Sequence, residues 1–244
     1  MESAKYDLLS EDEQRVFKKN MEAYKGCFGK KLSNKIRPVF KALNSLQGRP
    51  GLDVGCGGGG LTCALAQKGF NLTGIDLSDK SIKAAHALSD ALSIENVDFV
   101  CADIHELKGK MFDYAYSFDV YEHIAYENHV SFLKVVYDAL SNTGVFFIRT
   151  PHLFNIRQHI PGHIGLPTYR ELMETARQVG FTPKILVGHS GFATSLNYAV
   201  PIETFLERRV LNAKRRYTFL KYFSLANVVV RLEKNGDCTQ LQVV

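Results

Sequence analysis

The first candidates for chemistry are carboxylate and imidazole side chains in the second half of the chain. Asp119, Glu122 and His123 form an acid-x-x-Glu-His pattern, whose spacing brings side chains one helical turn apart together. Further histidines follow at His152, His159 and His163. Such groups can remove a proton from an oxygen nucleophile, or can hold Mg²⁺ or Mn²⁺. Three roles stay open: a metal site of Asp119, Glu122, His123 and His163, catalysis by His123, Glu122 or His163 without a metal, and plain structural roles.

A glycine-rich stretch earlier in the chain predicts a tight turn from a strand into a helix. Residues 51–60 read Gly-Leu-Asp-Val-Gly-Cys-Gly-Gly-Gly-Gly. Glycines let the backbone turn sharply and approach a ligand without a Cβ in the way, and the following helix offers free N–H groups at its first turn. The spacing Gly55-x-Gly57-x-x-Gly60 also matches the dinucleotide fingerprint, so this loop alone does not choose between ligands.

Three acids near the ends of predicted strands narrow the choice of ligand. Asp53 lies in the strand before the glycines, where a cationic amine would explain an acid and a pyrophosphate would be repelled. Asp76 ends the second strand, where a carboxylate can accept both hydroxyls of a ribose. Asp103 follows the third strand, in position to meet the exocyclic amine of an adenine. Adenine, ribose and an amino acid without phosphates describe S-adenosylmethionine, with NAD as the alternative.

The elements that must position these residues alternate between strand and helix from residue 51 onward. Strands rich in Val, Ile and Phe are predicted near 51–55, 71–76, 97–101, 112–118, 144–149, 182–188 and 225–233. Helices are predicted near 11–24, 33–46, 60–69, 79–92, 127–141 and 168–179. Ser10, Ser78 and Thr168 are expected N-caps, and Asn142-Thr143-Gly144 is expected to close the fifth helix. This alternation predicts βαβ units and a parallel sheet covered on both faces.

The ordered motifs resemble those of class I S-adenosylmethionine-dependent methyltransferases over roughly residues 30–190. The segments that carry the resemblance are 52–59, 74–77, 102–104 and 122–123. Within that class, the chain is most similar to the ubiquinone-biosynthesis O-methyltransferase group. Its acid-x-x-Glu-His motif resembles residues 119–123, with Asp119 where that group usually has Glu, and its Asn-x-x-Arg segment resembles residues 34–37. The region after Pro151 departs from the group, so a substrate is not carried over.

The resemblance implies a fold, a cofactor and a set of binding residues. The fold class is α/β: a three-layer sandwich with a seven-stranded, mostly parallel sheet, an antiparallel final strand and an N-terminal helical cap. The residues implied to bind S-adenosylmethionine are Arg37, Asp53, Gly55, Gly57, Gly59, Asp76, Leu77, Asp103, Ile104 and Phe118. The implied activity is methyl transfer to a small-molecule acceptor, foremost to an oxygen, with release of S-adenosylhomocysteine. Nitrogen and carbon acceptors stay open.

Composition and cysteine usage describe an ordinary globular protein. The 244 residues are 45% hydrophobic and 23% charged, which argues against disorder and low complexity. A polar N-terminus, the lack of an 18-residue apolar run and five scattered cysteines predict a cytoplasmic protein without a transmembrane segment. We expect one methyltransferase domain, divided into a helical cap (1–48), a cofactor-binding core (49–190), a basic insertion or lid (191–224), and a last strand and tail (225–244).

The charge distribution keeps other functions open. The net charge is +5, and two flanks of the chain are basic. Residues 1–50 carry 11 Lys/Arg against six Asp/Glu, and residues 203–222 carry six against two, interleaved with aromatic residues. Such a segment can cover a substrate, contact a membrane surface, bind nucleic acid or present a solvated helix face. The alternatives to a small-molecule enzyme are therefore an RNA methyltransferase that uses the basic flanks, and an inactive cofactor-binding partner subunit. The oligomeric state stays open.

Overall fold

The computed structural model describes residues 6–28, 42–107, 109, 111–153, 158–188 and 227–234. Three predictions fall outside these residues. They are the cofactor contact of Arg37, most of the helix expected at 33–46, and the basic segment 203–222. Within the described residues, no helix is long and apolar enough to cross a membrane.

The strands form one seven-stranded sheet. They are β1 (Pro50–Val54), β2 (Asn71–Asp76), β3 (Val97–Cys101), β4 (Phe112–Phe118), β5 (Leu140–Pro151), β6 (Phe181–Gly188) and β7 (Asn227–Lys234). Their order across the sheet is β3-β2-β1-β4-β5-β7-β6. β1 pairs in parallel with β2 and β4, and β2 pairs in parallel with β3. β7 is antiparallel to both β5 and β6. The predicted fold class, including the antiparallel final strand, is confirmed.

Five helices accompany the strands in the described part of the chain. They are α1 (Glu11–Cys27), α2 (Gly60–Ala66), α3 (Asp79–Ala91), α4 (His129–Ala139) and α5 (Tyr169–Val179). The expected caps are present: Ser10 and Thr168 form capping boxes with Glu13 and Glu171, and Ser78 accepts the Ser81 amide. A capping side chain satisfies amides that the first helical turn leaves unpaired, so local sequence specifies where these helices begin.

One predicted boundary is wrong. α4 ends at Ala139 and β5 begins at Leu140, so Asn142-Thr143-Gly144 lies inside β5 rather than at a helix end. A glycine that closes a helix adopts a positive φ, and Gly144 is not among the positive-φ glycines. The need for glycine is steric instead, because a Cβ on Gly144 would lie 2.8 Å from the Cβ of Leu140.

The chain divides into two compact units. The first contains residues 1–117 and 139–144, and the second contains residues 118–138 and 145–244. In the first unit, α1 packs against α2 and α3 around Tyr24, Cys27, Cys63, Leu88 and Phe99. Burial of these side chains anchors α1 to the helices that follow β1 and β2. The expected single methyltransferase domain and its internal divisions stay predictions.

The second unit holds α4, α5 and the antiparallel strands. The ring of Tyr137 in α4 lies 4.9 Å from that of Phe181 at the start of β6. Lys234 at the end of β7 donates to the carbonyl of Tyr137 at 2.9 Å. α5 ends at Gly180 with φ +110°, a left-handed cap conformation that favours glycine. The contacts of Tyr137 fix the end of α4 against β6 and β7, and Gly180 ends α5 directly before β6.

Candidate active site

The glycine loop joins β1 to α2 and is held against β2 by its backbone. The amides of Gly55 and Cys56 both donate to the carbonyl of Ile75, at 2.8 and 3.0 Å. Gly55, Gly57 and Gly59 have φ values of +77°, +53° and +77°. Three left-handed residues within five positions require glycine, because a Cβ is strained in this region of backbone space.

Two of these glycines differ in what surrounds them. A Cβ on Gly59 would lie 2.7 Å from the Phe99 ring and 3.0 Å from the Cβ of Ala85, so this glycine permits close packing on α3 and β3. A Cβ on Gly57 would meet no atom of the residues that the structure describes within 4 Å. The backbone at Gly57 therefore borders open space at the carboxyl end of β1, the edge where open α/β sheets bind ligands.

Asp76 at the end of β2 is bound to this loop. Its Oδ2 accepts the amide of Gly57 at 2.9 Å, and its Oδ1 accepts the amide of Ser78, the N-cap of α3, at 2.9 Å. Each carboxylate oxygen can accept two hydrogen bonds, so both retain accepting capacity toward a diol. Leu77, the next residue, is 74% exposed and offers apolar surface beside that carboxylate.

Asp53 lies in β1 beneath the loop and is 4% exposed. Its Oδ2 accepts the hydroxyl of Thr62 in α2 at 2.6 Å, and its register partners are Gly74 in β2 and Tyr116 in β4. Burial raises the pKa of Asp53 to about 7, against the hydrogen bonds from Thr62 and Tyr116. The hydrogen bond with Thr62 connects β1 to α2. The predicted contact of Asp53 with a ligand amine stays a prediction.

Asp103 caps a single 3₁₀ turn, Ile104–Glu106. Its carboxylate accepts the His105 amide at 2.9 Å and also contacts the His105 ring, while its own amide donates to Glu106. The hydrogen bond from the His105 amide lowers the pKa of Asp103. The side chain remains 48% exposed and Ile104 is half-buried. An adenine contact at Asp103 stays a prediction beside this capping role.

In the second unit, Asp119 pairs with an arginine rather than joining the histidines. Both of its carboxylate oxygens accept from the Arg149 guanidinium, with Nε to Oδ1 at 3.1 Å. Its amide also donates to the Arg149 carbonyl at 2.9 Å. Asp119 has φ +58°, which is uncommon outside glycine. The guanidinium lies over the ring of Phe118, 5.0 Å from its centre. Asp119 is therefore paired with Arg149, and its predicted role as a metal ligand stays a prediction.

Glu122, His123 and His163 do come together. One ligating atom from each lies within 4.8 Å of the other two. Glu122 is 1% exposed, and burial raises its pKa, although Thr150 donates to its Oε2 at 3.0 Å. The two imidazole rings lie 4.8 Å apart and nearly perpendicular. The Gly165 amide donates to the Glu122 carbonyl at 3.0 Å, which joins the histidine-bearing loop to the Tyr121–His123 turn.

Both histidines of this cluster are oriented by backbone carbonyls. Nδ1 of His123 donates to Gly162 O at 2.9 Å, and Nδ1 of His163 donates to Gln158 O at 2.8 Å. Each bond fixes the tautomer and leaves Nε2 with its lone pair. Metal-ligating histidines commonly donate their other ring nitrogen in this way, and a histidine base needs the same free nitrogen.

The other two histidines of the predicted group lie apart from the cluster. His152 is fully buried, with its ring 5.1 Å from that of Tyr169. His159 is bound through Nε2 to the carbonyl of Leu153 at 2.6 Å. Within the described residues, the cluster therefore consists of Glu122, His123 and His163, and it does not include His152 or His159.

Two residues that the sequence analysis missed organise this region from β5. Arg149 holds Asp119 and Thr150 holds Glu122 across about 30 positions of sequence. The sequence could have indicated both residues by their position near the carboxyl end of a predicted strand, because polar residues there often contribute to a binding site in open α/β sheets.

Comparison with known proteins gives sequence similarities over part of the chain. Residues 52–148 match the family described as "Methyltransferase domain". The match covers the middle of the chain and agrees with the resemblance to class I S-adenosylmethionine-dependent methyltransferases. The chain is 40% identical over 94 residues to a ubiquinone biosynthesis O-methyltransferase of Bordetella avium, covering 38% of this chain and 39% of that one. It is 34% identical over 127 residues to the enzyme of the same name from Idiomarina loihiensis, covering 48% and 50%. The chain thus spans half or less of the length of these relatives.

Solved structures share the fold at low identity. The YcgJ protein of Bacillus subtilis has a TM-score of 0.65 at 13% identity, covering 83% of this chain and 98% of that one. Magnesium protoporphyrin IX methyltransferase from Synechocystis PCC 6803, solved with bound S-adenosylmethionine, has a TM-score of 0.57 at 17% identity, covering 93% and 85%. Both similarities show the fold alone, which is Rossmann-like.

Proposed function

We propose that this protein transfers a methyl group from S-adenosylmethionine to an oxygen of a small-molecule acceptor. The observation that carries the proposal is the glycine loop, in which the Gly57 amide donates to Asp76 and the Cβ position of Gly57 faces open space. That space fits a ligand that lies against the backbone and reaches the carboxylate. The names of the curated relatives support an oxygen acceptor.

Two residues beside the loop, Asp76 and Leu77, would contact different parts of the cofactor. S-adenosylmethionine supplies a methyl group activated by a positively charged sulfur. Asp76 would accept the ribose hydroxyls with its remaining lone pairs, and the exposed Leu77 would cover the adenosine with apolar surface. In such a displacement, the chain contributes chiefly by aligning the reacting groups and excluding water.

On the acceptor side, we propose that Glu122, His123 and His163 bind a divalent cation. The support is their grouping within 4.8 Å and the two carbonyl bonds that leave Nε2 of each histidine available. Two imidazoles with one carboxylate suit Mn²⁺ better than Mg²⁺, which prefers oxygen ligands. Such a cation favours loss of the proton from an acceptor hydroxyl.

The cofactor half of the proposal is tested with a matched pair of acids. Asp76→Asn removes the charge beside the open space, whereas Asp79→Asn removes an exposed acid three residues later that pairs with Lys83. We expect Asp76→Asn to weaken S-adenosylhomocysteine binding about tenfold or more, as for loss of a charge-assisted bond, and Asp79→Asn to leave it unchanged. Calorimetric titration measures both. Equal affinity of Asp76→Asn and the wild type would overturn this assignment.

The metal half is tested separately by titration with Mn²⁺, followed by electron paramagnetic resonance. We expect His163→Ala to weaken Mn²⁺ binding by at least about tenfold. His159→Ala, in the same loop but bound to the Leu153 carbonyl, is the control and should bind as the wild type does. If the wild type binds no Mn²⁺, the metal proposal fails. Base catalysis by His123, Glu122 or His163 then takes its place.

We also infer a cytoplasmic location, which the sequence predicts from its scattered cysteines. The support is that Cys27, Cys56, Cys63 and Cys101, the cysteines among the described residues, are free thiols. The RNA methyltransferase alternative depends on the basic flanks, of which the segment 203–222 lies outside those residues. Both stay predictions of the sequence.

A further inference from the structure

α2 begins without a cap from its own sequence. Gly59 occupies the N-cap position in a left-handed conformation and has no side chain to accept an amide of the first turn. Amides that a helix start leaves unpaired are normally satisfied by a side chain or by water. Because α2 follows directly from the glycine loop, whatever satisfies its first amide also fixes the end of that loop.

The missing acceptor comes from α1. Asn20 Oδ1 accepts the Gly60 amide at 3.3 Å, across 40 positions of sequence. Its Nδ2 donates to the carbonyl of Val16, one turn earlier in α1, at 2.9 Å. The second bond fixes the orientation of the side-chain amide, so that the oxygen faces Gly60 and the nitrogen faces α1.

The shape of the loop is matched to this side chain. A Cβ on Gly58 would lie 2.3 Å from Asn20 Nδ2, and a Cβ on Gly60 would lie 2.7 Å from the backbone carbonyl oxygen of Asn20 and 3.2 Å from its Oδ1. These two glycines have ordinary φ values and are required by close approach to α1. Gly57, by contrast, borders open space. The glycines of the loop therefore have two roles. Gly58 and Gly60 allow α1 to approach closely, and Gly57 leaves space for the proposed cofactor.

α1 is held in place by contacts that do not involve Asn20. The Tyr24 hydroxyl donates to Gln67 at the end of α2. Lys80 and Lys83 of α3 pair with Asp12 and Glu13, at 2.7 and 3.5 Å. Loss of the Asn20 amide should therefore leave α1 docked and remove specifically the cap on α2.

We propose that Asn20 is a positioning residue for cofactor binding, which caps α2 from α1 and so holds the glycine loop in its binding conformation. This inference rests on the proposed function, because the loop is taken to bind S-adenosylmethionine. Loss of an N-cap lowers helix stability by about 1 kcal/mol. If the loop must be ordered when S-adenosylhomocysteine binds, this corresponds to an affinity about fivefold lower for that ligand.

Three single variants test the role of the side-chain oxygen. Asn20→Ala should weaken S-adenosylhomocysteine binding about fivefold. Asn20→Asp keeps an acceptor for the Gly60 amide but loses the donor to the Val16 carbonyl, so it should recover only part of that affinity. Lys19→Gln changes an exposed neighbour on α1 and should bind as the wild type does. Equal binding by Asn20→Ala and the wild type would overturn the proposal.

A double-mutant cycle with Gly58 tests the contact itself. Gly58→Ala places a methyl group against the Asn20 amide, so it should weaken binding in the wild-type background and cost less in the Asn20→Ala background. Additive losses would contradict direct contact between the two positions.

Amide hydrogen exchange without ligand separates this inference from the proposed function. We expect the Gly60 amide to exchange faster in Asn20→Ala than in the wild type, because it loses its acceptor. Unchanged exchange overturns the inference whatever the protein binds. If exchange rises but the wild type does not bind S-adenosylhomocysteine, the proposed function is overturned, and the role in cofactor binding is overturned with it.

Discussion

The carboxyl group of Asp53 lies in surroundings that oppose its ionisation. Burial raises its pKa from 3.8 to about 7, so the folded chain binds a proton that the unfolded chain releases between these two values. The contribution of Asp53 to the unfolding free energy therefore falls as the pH rises from 3.8 to about 7, and is constant above. The sequence marked Asp53 as unusual, but the cause of its raised pKa, enclosure by α2 and β4, is a tertiary effect.

Replacement of this carboxyl group isolates its pH dependence. We expect Asp53→Asn to gain stability relative to the wild type by roughly 3 kcal/mol between pH 4 and pH 7. Urea unfolding at several pH values measures the difference. The difference in unfolding free energy between the two proteins should level off above pH 7. A difference that does not vary with pH would show that Asp53 ionises at its ordinary pKa.

Arg149 neutralises Asp119 and covers Phe118, so we expect it to stabilise the end of β4. The guanidinium side chain is 16% exposed, but Asp119 is 49% exposed, so solvent screening reduces the gain. Arg149→Met should lower the unfolding free energy by about 1 kcal/mol. Lys134→Met removes the exposed pair with Asp138 in α4 and should cost about half as much or less. If urea unfolding shows that Arg149→Met and Lys134→Met lose the same unfolding free energy, partial burial does not strengthen the pair of Arg149 with Asp119.

At the scale of elements, local patterns predicted most of the fold. Capping residues at Ser10, Ser78 and Thr168 specify helix starts within a few neighbouring residues, so sequence alone could locate them. The sequence could not exclude Asp119 from the histidine cluster, because its partner lies 30 positions away on β5. From the sequence we chose His163 and not His159, but the sequence could not show that different backbone carbonyls, those of Gln158 and Leu153, hold the two rings.

The loop that carries His163 depends on a glycine that packs against the preceding turn. A Cβ on Gly165 would lie 1.8 Å from the carbonyl oxygen of Ile124 and 2.7 Å from Nε2 of His129. Gly165→Ala should therefore displace the loop and weaken Mn²⁺ binding by about tenfold, as when the support of a metal ligand is lost. The Mn²⁺ titration measures this effect. Unchanged affinity would show that His163 does not need this packing to reach the cluster.

At the scale of the whole molecule, two strands pass from one compact unit into the other. β4 crosses the division after Ser117 and β5 crosses it after Gly144. Because neither strand is interrupted there, we expect one cooperative unfolding transition, as for a single domain. Near-ultraviolet circular dichroism and tyrosine fluorescence should give the same midpoint in a chain with 11 tyrosines and no tryptophan. Two separated midpoints would contradict the single-domain prediction.

The measurement that tests the central claim most directly is calorimetric titration of the wild-type protein with S-adenosylhomocysteine, and in parallel with NAD⁺. The loop and Asp76 are compatible with either ligand by spacing alone, whereas the buried acid in β1 and the methyltransferase match favour the first. The account predicts saturable binding of S-adenosylhomocysteine and none of NAD⁺. Binding of NAD⁺ without S-adenosylhomocysteine would contradict it.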